Sequence, residues 1–170
     1  MALVTLSLGS NMNARDNLTS CLDALLLQFQ DLSLSCVFES EAVGFEGDNF
    51  LNMAVALETD LPLKELSVLL KSIEDKHGRD RNQPKFSGRS LDIDILTFDN
   101  KVGTFDGIVL PREEIIHNAF VLWPLSQIMP SMKHPGSENT YASMWQDFDK
   151  QSQKLWPVTF TWHGRKISEQ

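Results

Sequence analysis

The feature that limits the fold most is the change of hydrophobic period between Val4 and Phe98. Leu18, Leu22, Leu25, Leu26 and Phe29 fall on one face at helical spacing, and so do Leu63, Leu66, Leu69, Leu70 and Ile73. Pro62 suits the first turn of the second helix, and Gly78 lies just past its end. Around these two stripes the period drops to two. Val4 to Leu8 alternates, with Gly9-Ser10-Asn11 as the turn into the first helix. Leu32, Leu34, Cys36 and Phe38 alternate with Ser33, Ser35, Val37 and Glu39, and two more strand-like runs cover 50–57 and 91–98.

The order βαββαβ predicts an α+β fold, a ferredoxin-like core whose helices pack on one face of an antiparallel sheet. Further on, Ile108–Leu110 is expected as an edge strand, and Ile115–Ile128 as a helix limited by Pro124 and Pro130. Residues 140–150 are expected as a short helix. Leu155–Trp162 alternates weakly, and Pro157 there suits only an edge strand. The whole is thus the core plus additional C-terminal helices and a strand.

At 170 residues and 42% hydrophobic, the chain is expected to form one domain over 1–170. Its net charge of −8 would repel nucleic acid and anionic membrane, so an anionic ligand needs a local basic patch. Cys21 and Cys36 lie in apolar patterns without CxxC spacing, which suits buried thiols in a reducing compartment. The N-terminus MALVTLSLGSN lacks a basic leader, and no apolar run reaches membrane length. A cytoplasmic location, small-molecule partners and a monomeric state are the expectation.

Residues 88–100 read GRSLDIDILTFDN. In a strand, Asp92 and Asp94 share one face while Leu91, Ile93 and Ile95 share the other, with the carboxylates about 6 to 7 Å apart along the strand. Two like charges so placed suit Mg2+, a hard cation that takes one or two carboxylates and leaves its other positions to water and phosphate. A DxD pair also occurs on ordinary solvent-wetted strands. The preceding loop favours the metal. Residues 76–89 carry Lys76, Arg79, Arg81, Lys85 and Arg89 against the single acid Asp80. Guanidinium groups match phosphate oxygens, so a basic loop beside paired acids fits a Mg2+–polyphosphate ligand. The plainer reading pairs Arg89 with one of the aspartates.

Phe50 and Asn52 share a strand face opposite Leu51 and Met53. An aromatic ring stacks on a flat heterocycle, and an amide both donates and accepts at its edge. Core packing and a strand-end hydrogen bond explain the same residues, as they do Phe120 and Trp123. His77, His117, His134 and His163 lack metal-ligand spacing, and His77 suits a helix C-terminus. Ser10 has no nucleophile-elbow setting, and no GxxxxGK[ST] or GxGxxG occurs.

Taken together, LGSN at 8–11, FLN at 50–52, IEDKHGRDR at 73–81 and GRSLDIDIL at 88–96 resemble the 6-hydroxymethyl-7,8-dihydropterin pyrophosphokinases of folate synthesis. AFVLWPL at 119–125 resembles their late helix. The resemblance runs from about residue 3 to about residue 130 and leaves 131–170 as a C-terminal extension. It implies Mg2+-dependent transfer of the β,γ-pyrophosphoryl group of ATP to the pterin hydroxymethyl oxygen, with two Mg2+ ions. Asp92 and Asp94 match the metal-binding aspartates. Arg79 and Arg89 match catalytic basic residues, and Glu74, Arg81, Lys85 and Arg112 fall to the nucleotide side. Val43, Gly44, Phe50, Asn52 and Phe120 fall to the pterin. The loop flanked by Gly78 and Gly88 matches a closing lid.

The chain departs from the family pattern at several of these places. Leu110-Pro111-Arg112-Glu113 stands where the family has Val-Pro-His, so arginine replaces a nucleotide-side histidine. Arg112 can still meet phosphate but does not titrate near neutrality. Ser40-Glu41-Ala42-Val43-Gly44 replaces Thr-Pro-x-x-Gly, Phe86 replaces a lid tryptophan, and Asn118 replaces an arginine. Three outcomes stay open: a divergent active kinase, a weakly active or non-catalytic pterin- or nucleotide-binding paralogue, and a structural domain whose acids merely meet solvent or calcium.

Overall fold

The computed structural model describes residues 1–41, 48–77 and 91–170. Seven elements make the first part: β1 (Ala2–Ser10), α1 (Ala14–Phe29), β2 (Ser33–Leu34), β3 (Val37–Ser40), β4 (Phe50–Thr59), α2 (Leu63–Lys76) and β5 (Asp92–Phe98). The sheet runs β5-β1-β4-β3, antiparallel at every step. This is the ferredoxin-like order, with the last strand of the unit beside the first.

One strand of the expected pattern arrives in two pieces. Leu34 pairs with Val55 but Phe38 pairs with Asn52, so the register gains one residue between β2 and β3. Ser35 holds the irregularity, its Oγ accepting the Ala54 N–H at 2.8 Å while its own N–H donates to the Ala54 carbonyl at 3.0 Å. The Cys36 N–H is taken by Gln127 Oε1 at 2.8 Å.

The two sheet faces differ in side-chain size, and that difference builds the site. Val4, Leu6 and Leu8 join Met53, Val55, Leu57, Ile93 and Ile95 against Leu18, Leu22 and Leu25 of α1 and Leu66, Leu70 and Ile73 of α2. Across the strands on the other face lie Thr5 with Ala56, Ser7 with Ala54 and Gly9 with Asn52. Small residues there leave room for a helix to lie close, and α4 (Ala119–Ile128) occupies it against β4 and β3. In β5 the pairings Leu6–Ile95 and Thr5–Thr97 leave Leu96 as an extra residue. Leu96 joins the second apolar cluster with Ile115, Val121, Leu122, Leu125 and Tyr141. The aspartates thus precede the point where this face becomes apolar and covered.

The remaining elements are β6 (Gly103–Phe105), β7 (Ile108–Leu110), α3 (Glu114–His117), α5 (Tyr141–Asp147), β8 (Leu155–Val158), β9 (Phe160–Trp162) and β10 (Arg165–Ser168). Ile108–Leu110 does not extend the main sheet as expected. It pairs with β6 in a separate hairpin turned by Asp106 and Gly107, both at positive φ (52° and 78°). The helix expected over 115–128 is interrupted at Asn118, which is extended, while Pro124 lies inside α4 and Pro130 follows its end. Strand β8 pairs with β3 and forms the sheet's outer edge, the setting that tolerates Pro157. Among the described residues no helix is long and apolar enough to cross a membrane.

Candidate functional site

Strand pairing lays the expected site residues in rows on the small-residue face. Asp92 is opposite Gly9, Gly9 opposite Asn52, and Asn52 opposite Phe38. One step along, Asp94 is opposite Ser7, which is opposite Ala54. Two strand spacings, about 10 Å, separate the aspartate backbone from that of Asn52. Gly9 matters because it has no side chain: a Cβ there would stand 2.9 Å from Asn52 Oδ1. The Asn52 carboxamide therefore leans over Gly9 toward the aspartates. It is buried, and its Nδ2 donates to Ser40 Oγ at 3.1 Å.

Asp92 and Asp94 are half-buried and share this face, as the alternation requires, while Ile93 and Ile95 go to the core. The Arg112 guanidinium, from the segment between β7 and α3, approaches Asp94 Oδ1 to 3.5 Å through Nη2. Its Nε is ion-paired with the Glu114 carboxylate. The Arg112 main-chain N–H donates to the Leu96 carbonyl at 2.8 Å, which fixes the residue beside β5 just past the aspartates.

Glu74, near the C-terminal end of α2, is buried, and its Oε2 accepts the Ile93 N–H at 2.8 Å. β5 is the edge strand of the sheet at this side, so the carboxylate satisfies a main-chain donor between the two aspartates. The Cys21 thiol is pushed up to about 12, chiefly by burial and also by the Glu74 carboxylate. The same α2 terminus carries His77, whose ring nitrogens meet the Ile73 carbonyl at 2.6 Å and Ser20 Oγ at 2.8 Å.

Phe50 opens β4 opposite Ser40 and is half-buried. Phe120 sits in the first turn of α4 and packs on the second cluster. Trp123 belongs to an aromatic stack, 4.5 Å from Phe38 and 5.0 Å from Trp145 between ring centroids. Val43, Gly44, Gly78, Arg79, Arg81, Lys85, Phe86, Gly88 and Arg89 lie outside the described residues. The structure thus brings Asp92, Asp94, Asn52 and Arg112 to one end of one face, with Glu74 behind the strand.

Three further contributors are not singled out by sequence pattern as site residues. Gly9 belongs to a turn signal and to the LGSN stretch, and its role as a close-approach position emerges only from its place in the strand. Glu114 gave no motif, because its partner Arg112 is two residues away on an irregular segment. Gln153 lies in the extension, where its Oε1 accepts the Ala119 N–H at 2.8 Å and its Nε2 donates to the His117 carbonyl at 2.7 Å.

The family model for 7,8-dihydro-6-hydroxymethylpterin-pyrophosphokinase (HPPK) matches residues 5–130. The chain belongs to the HPPK family. As a member it is a pyrophosphokinase, a diphosphotransferase of folate synthesis. Among its relatives is the 2-amino-4-hydroxy-6-hydroxymethyldihydropteridine pyrophosphokinase of Aquifex aeolicus, 35% identical over 139 residues, 79% of this chain and 85% of that one. The Bacillus subtilis protein of the same description is 34% identical over 127 residues, 72% of this chain and 75% of that one. A solved Plasmodium falciparum HPPK-DHPS is similar in fold with a TM-score of 0.66 at 17% identity. That match takes in 85% of this chain but only 42% of the Plasmodium chain, so this HPPK chain spans less than half of the fusion.

Proposed function

We propose that this HPPK transfers the β,γ-pyrophosphoryl group of ATP to the hydroxymethyl oxygen of 6-hydroxymethyl-7,8-dihydropterin, with Asp92 and Asp94 holding Mg2+. The observation that carries the reading is the row Asp92, Gly9, Asn52 across three strands. It sets a pair of hard oxygen donors and a buried amide on one face, their backbones about 10 Å apart, with only the glycine between them. The residues fit the metal: both carboxylates are half-buried on one strand face, and their ladder neighbours Gly9 and Ser7 are small. Two Mg2+ ions, when bound, would draw the triphosphate oxygens together and neutralise their charge.

The chain's own residues then do four things. Asn52 reads the pterin edge, held by Ser40 and the space above Gly9. Phe50 and Phe120 supply flat apolar surface to the pterin ring, together with Val43 and Gly44. Arg79, Arg81, Lys85, Arg89 and Arg112 meet the phosphates. Glu74 holds β5 so that both aspartates keep their direction. In the transfer, the hydroxymethyl oxygen forms a bond to the β-phosphorus, the bond from that phosphorus to the α–β bridging oxygen breaks, and AMP leaves with that oxygen. The hydroxyl proton goes to solvent. Such a reaction asks mainly for alignment and charge neutralisation, and no covalent enzyme intermediate is required.

We also read the protein as a cytoplasmic monomer built as one unit over 1–170. The free thiols Cys21 and Cys36 suit a reducing compartment. Phe160 and Tyr141 of the extension lie in the two core clusters, which supports treating the extension as part of the same unit. Calorimetric titration with a non-hydrolysable ATP analogue tests the site. Binding is expected to need Mg2+ and to be lost in Asp92→Ala and Asp94→Ala; equal binding by both variants with Mg2+ would remove the aspartates from the nucleotide site.

A further inference from the structure

Arg112 is held in a particular way. Its main chain is tied to Leu96, its Nε to Glu114, and its Nη2 lies 3.5 Å from Asp94 Oδ1. The Arg112 and Asp94 side chains are 39% and 41% exposed, so the pair is wet enough to exchange partners. Glu114 gives the guanidinium a second carboxylate, which keeps it at the site while its other nitrogens change contacts. A cation bound by Asp94 and this guanidinium cannot both neutralise the same carboxylate without repelling each other. Phosphate reverses that relation, because it attracts metal and guanidinium alike.

We propose that Arg112 is an internal countercharge that competes with the first divalent cation at Asp94 and turns to the phosphates once metal and nucleotide are both present. The chain would then resist loading with bare metal and favour the metal–nucleotide complex. This deepens the site reading above and rests on Asp94 being a metal ligand.

The test uses the full chain and Mn2+ as the probe, with free Mn2+ followed by electron paramagnetic resonance. Arg112→Gln removes the charge and leaves a shorter polar side chain, and Arg112→Lys keeps the charge; thermal melting confirms that both variants fold. Without nucleotide, Arg112→Gln is expected to bind Mn2+ about two- to fivefold more tightly, the size of an exposed ion pair, and Arg112→Lys to stay near wild type. With saturating Mn2+, the same Arg112→Gln is expected to bind a non-hydrolysable ATP analogue more weakly than wild type. A residue that merely braced the site would move both affinities in the same direction. Unchanged or weaker Mn2+ binding in Arg112→Gln overturns the proposal, as does undiminished analogue binding. Asp94→Ala separates the two levels: if it binds Mn2+ as wild type does, the metal reading itself fails, whereas loss of Mn2+ there with no change in Arg112→Gln sinks only the countercharge.

Discussion

Glu74 is 6% exposed, and its Oε2 takes the one main-chain donor that stands between Asp92 and Asp94. Removing the acceptor leaves a buried N–H without its partner, at a cost of about 1–3 kcal/mol. Glu74→Ala should therefore melt several degrees lower, while Glu74→Gln, which keeps a carbonyl acceptor, should lose less. Equal melting of Glu74→Ala and wild type in calorimetry would show that the bond contributes nothing. A second residue-scale consequence concerns Cys21, whose thiol is fully buried and pushed from 9.0 to about 12. A group whose folded value lies above its unfolded value stabilises below the latter and loses that contribution as pH rises toward the former. Stability should thus fall between about pH 9 and pH 12, by up to about 1.4 kcal/mol per pH unit from this thiol. Cys21→Ala should flatten that part of the denaturation profile; an unchanged slope contradicts the assignment.

Among the elements, α4 lies against β4 and β3, and a residue from outside the family's span ties its start. Gln153 joins the end of α3 to the start of α4, where Phe120 lies. Loss of two hydrogen bonds at a half-buried amide costs about 1–3 kcal/mol. Gln153→Ala should lower both the melting temperature and the affinity for the dihydropterin, and affect the ATP analogue less; an equal loss for both ligands would deny α4 a pterin-side role. The periodic elements were legible: α1, α2, β1, β4 and β5 follow from spacing, because a stripe of leucines or an alternating run has one way to bury itself. The extra residue between β2 and β3 was not, since Ser35 substitutes its side chain for a ladder bond and periodicity does not record that. The β6–β7 hairpin did carry a signal, Asp106-Gly107, a dipeptide suited to a tight turn between short strands. The helix break at Asn118 had none beyond the residue's own weak preference.

At the scale of the whole molecule, an acidic protein of charge −8 concentrates five basic residues at 76–89 and sets two aspartates just beyond that segment. The fold explains the second half of that arrangement. One sheet face is filled by large aliphatic side chains against α1 and α2. The other is kept small by Thr5, Ser7, Gly9, Ala54 and Ala56, so that α4 covers part of it and the Asp92–Gly9–Asn52 row remains beside it. Asp92, Asp94 and Asn52 could be placed on one face of their strands from alternation alone. Their assembly into one row could not, because strand order and register come from long-range pairing. Arg112 was legible as a basic residue but its seat on Asp94 was not, for it depends on where an irregular segment crosses β5. The most direct measurement is AMP formed from ATP, Mg2+ and 6-hydroxymethyl-7,8-dihydropterin by the wild-type chain and by Asp94→Ala. Wild type should form AMP and pterin diphosphate one for one, and Asp94→Ala should lose at least about a hundredfold in rate. Tight nucleotide binding without AMP in the wild type, or full activity in Asp94→Ala, would contradict the account.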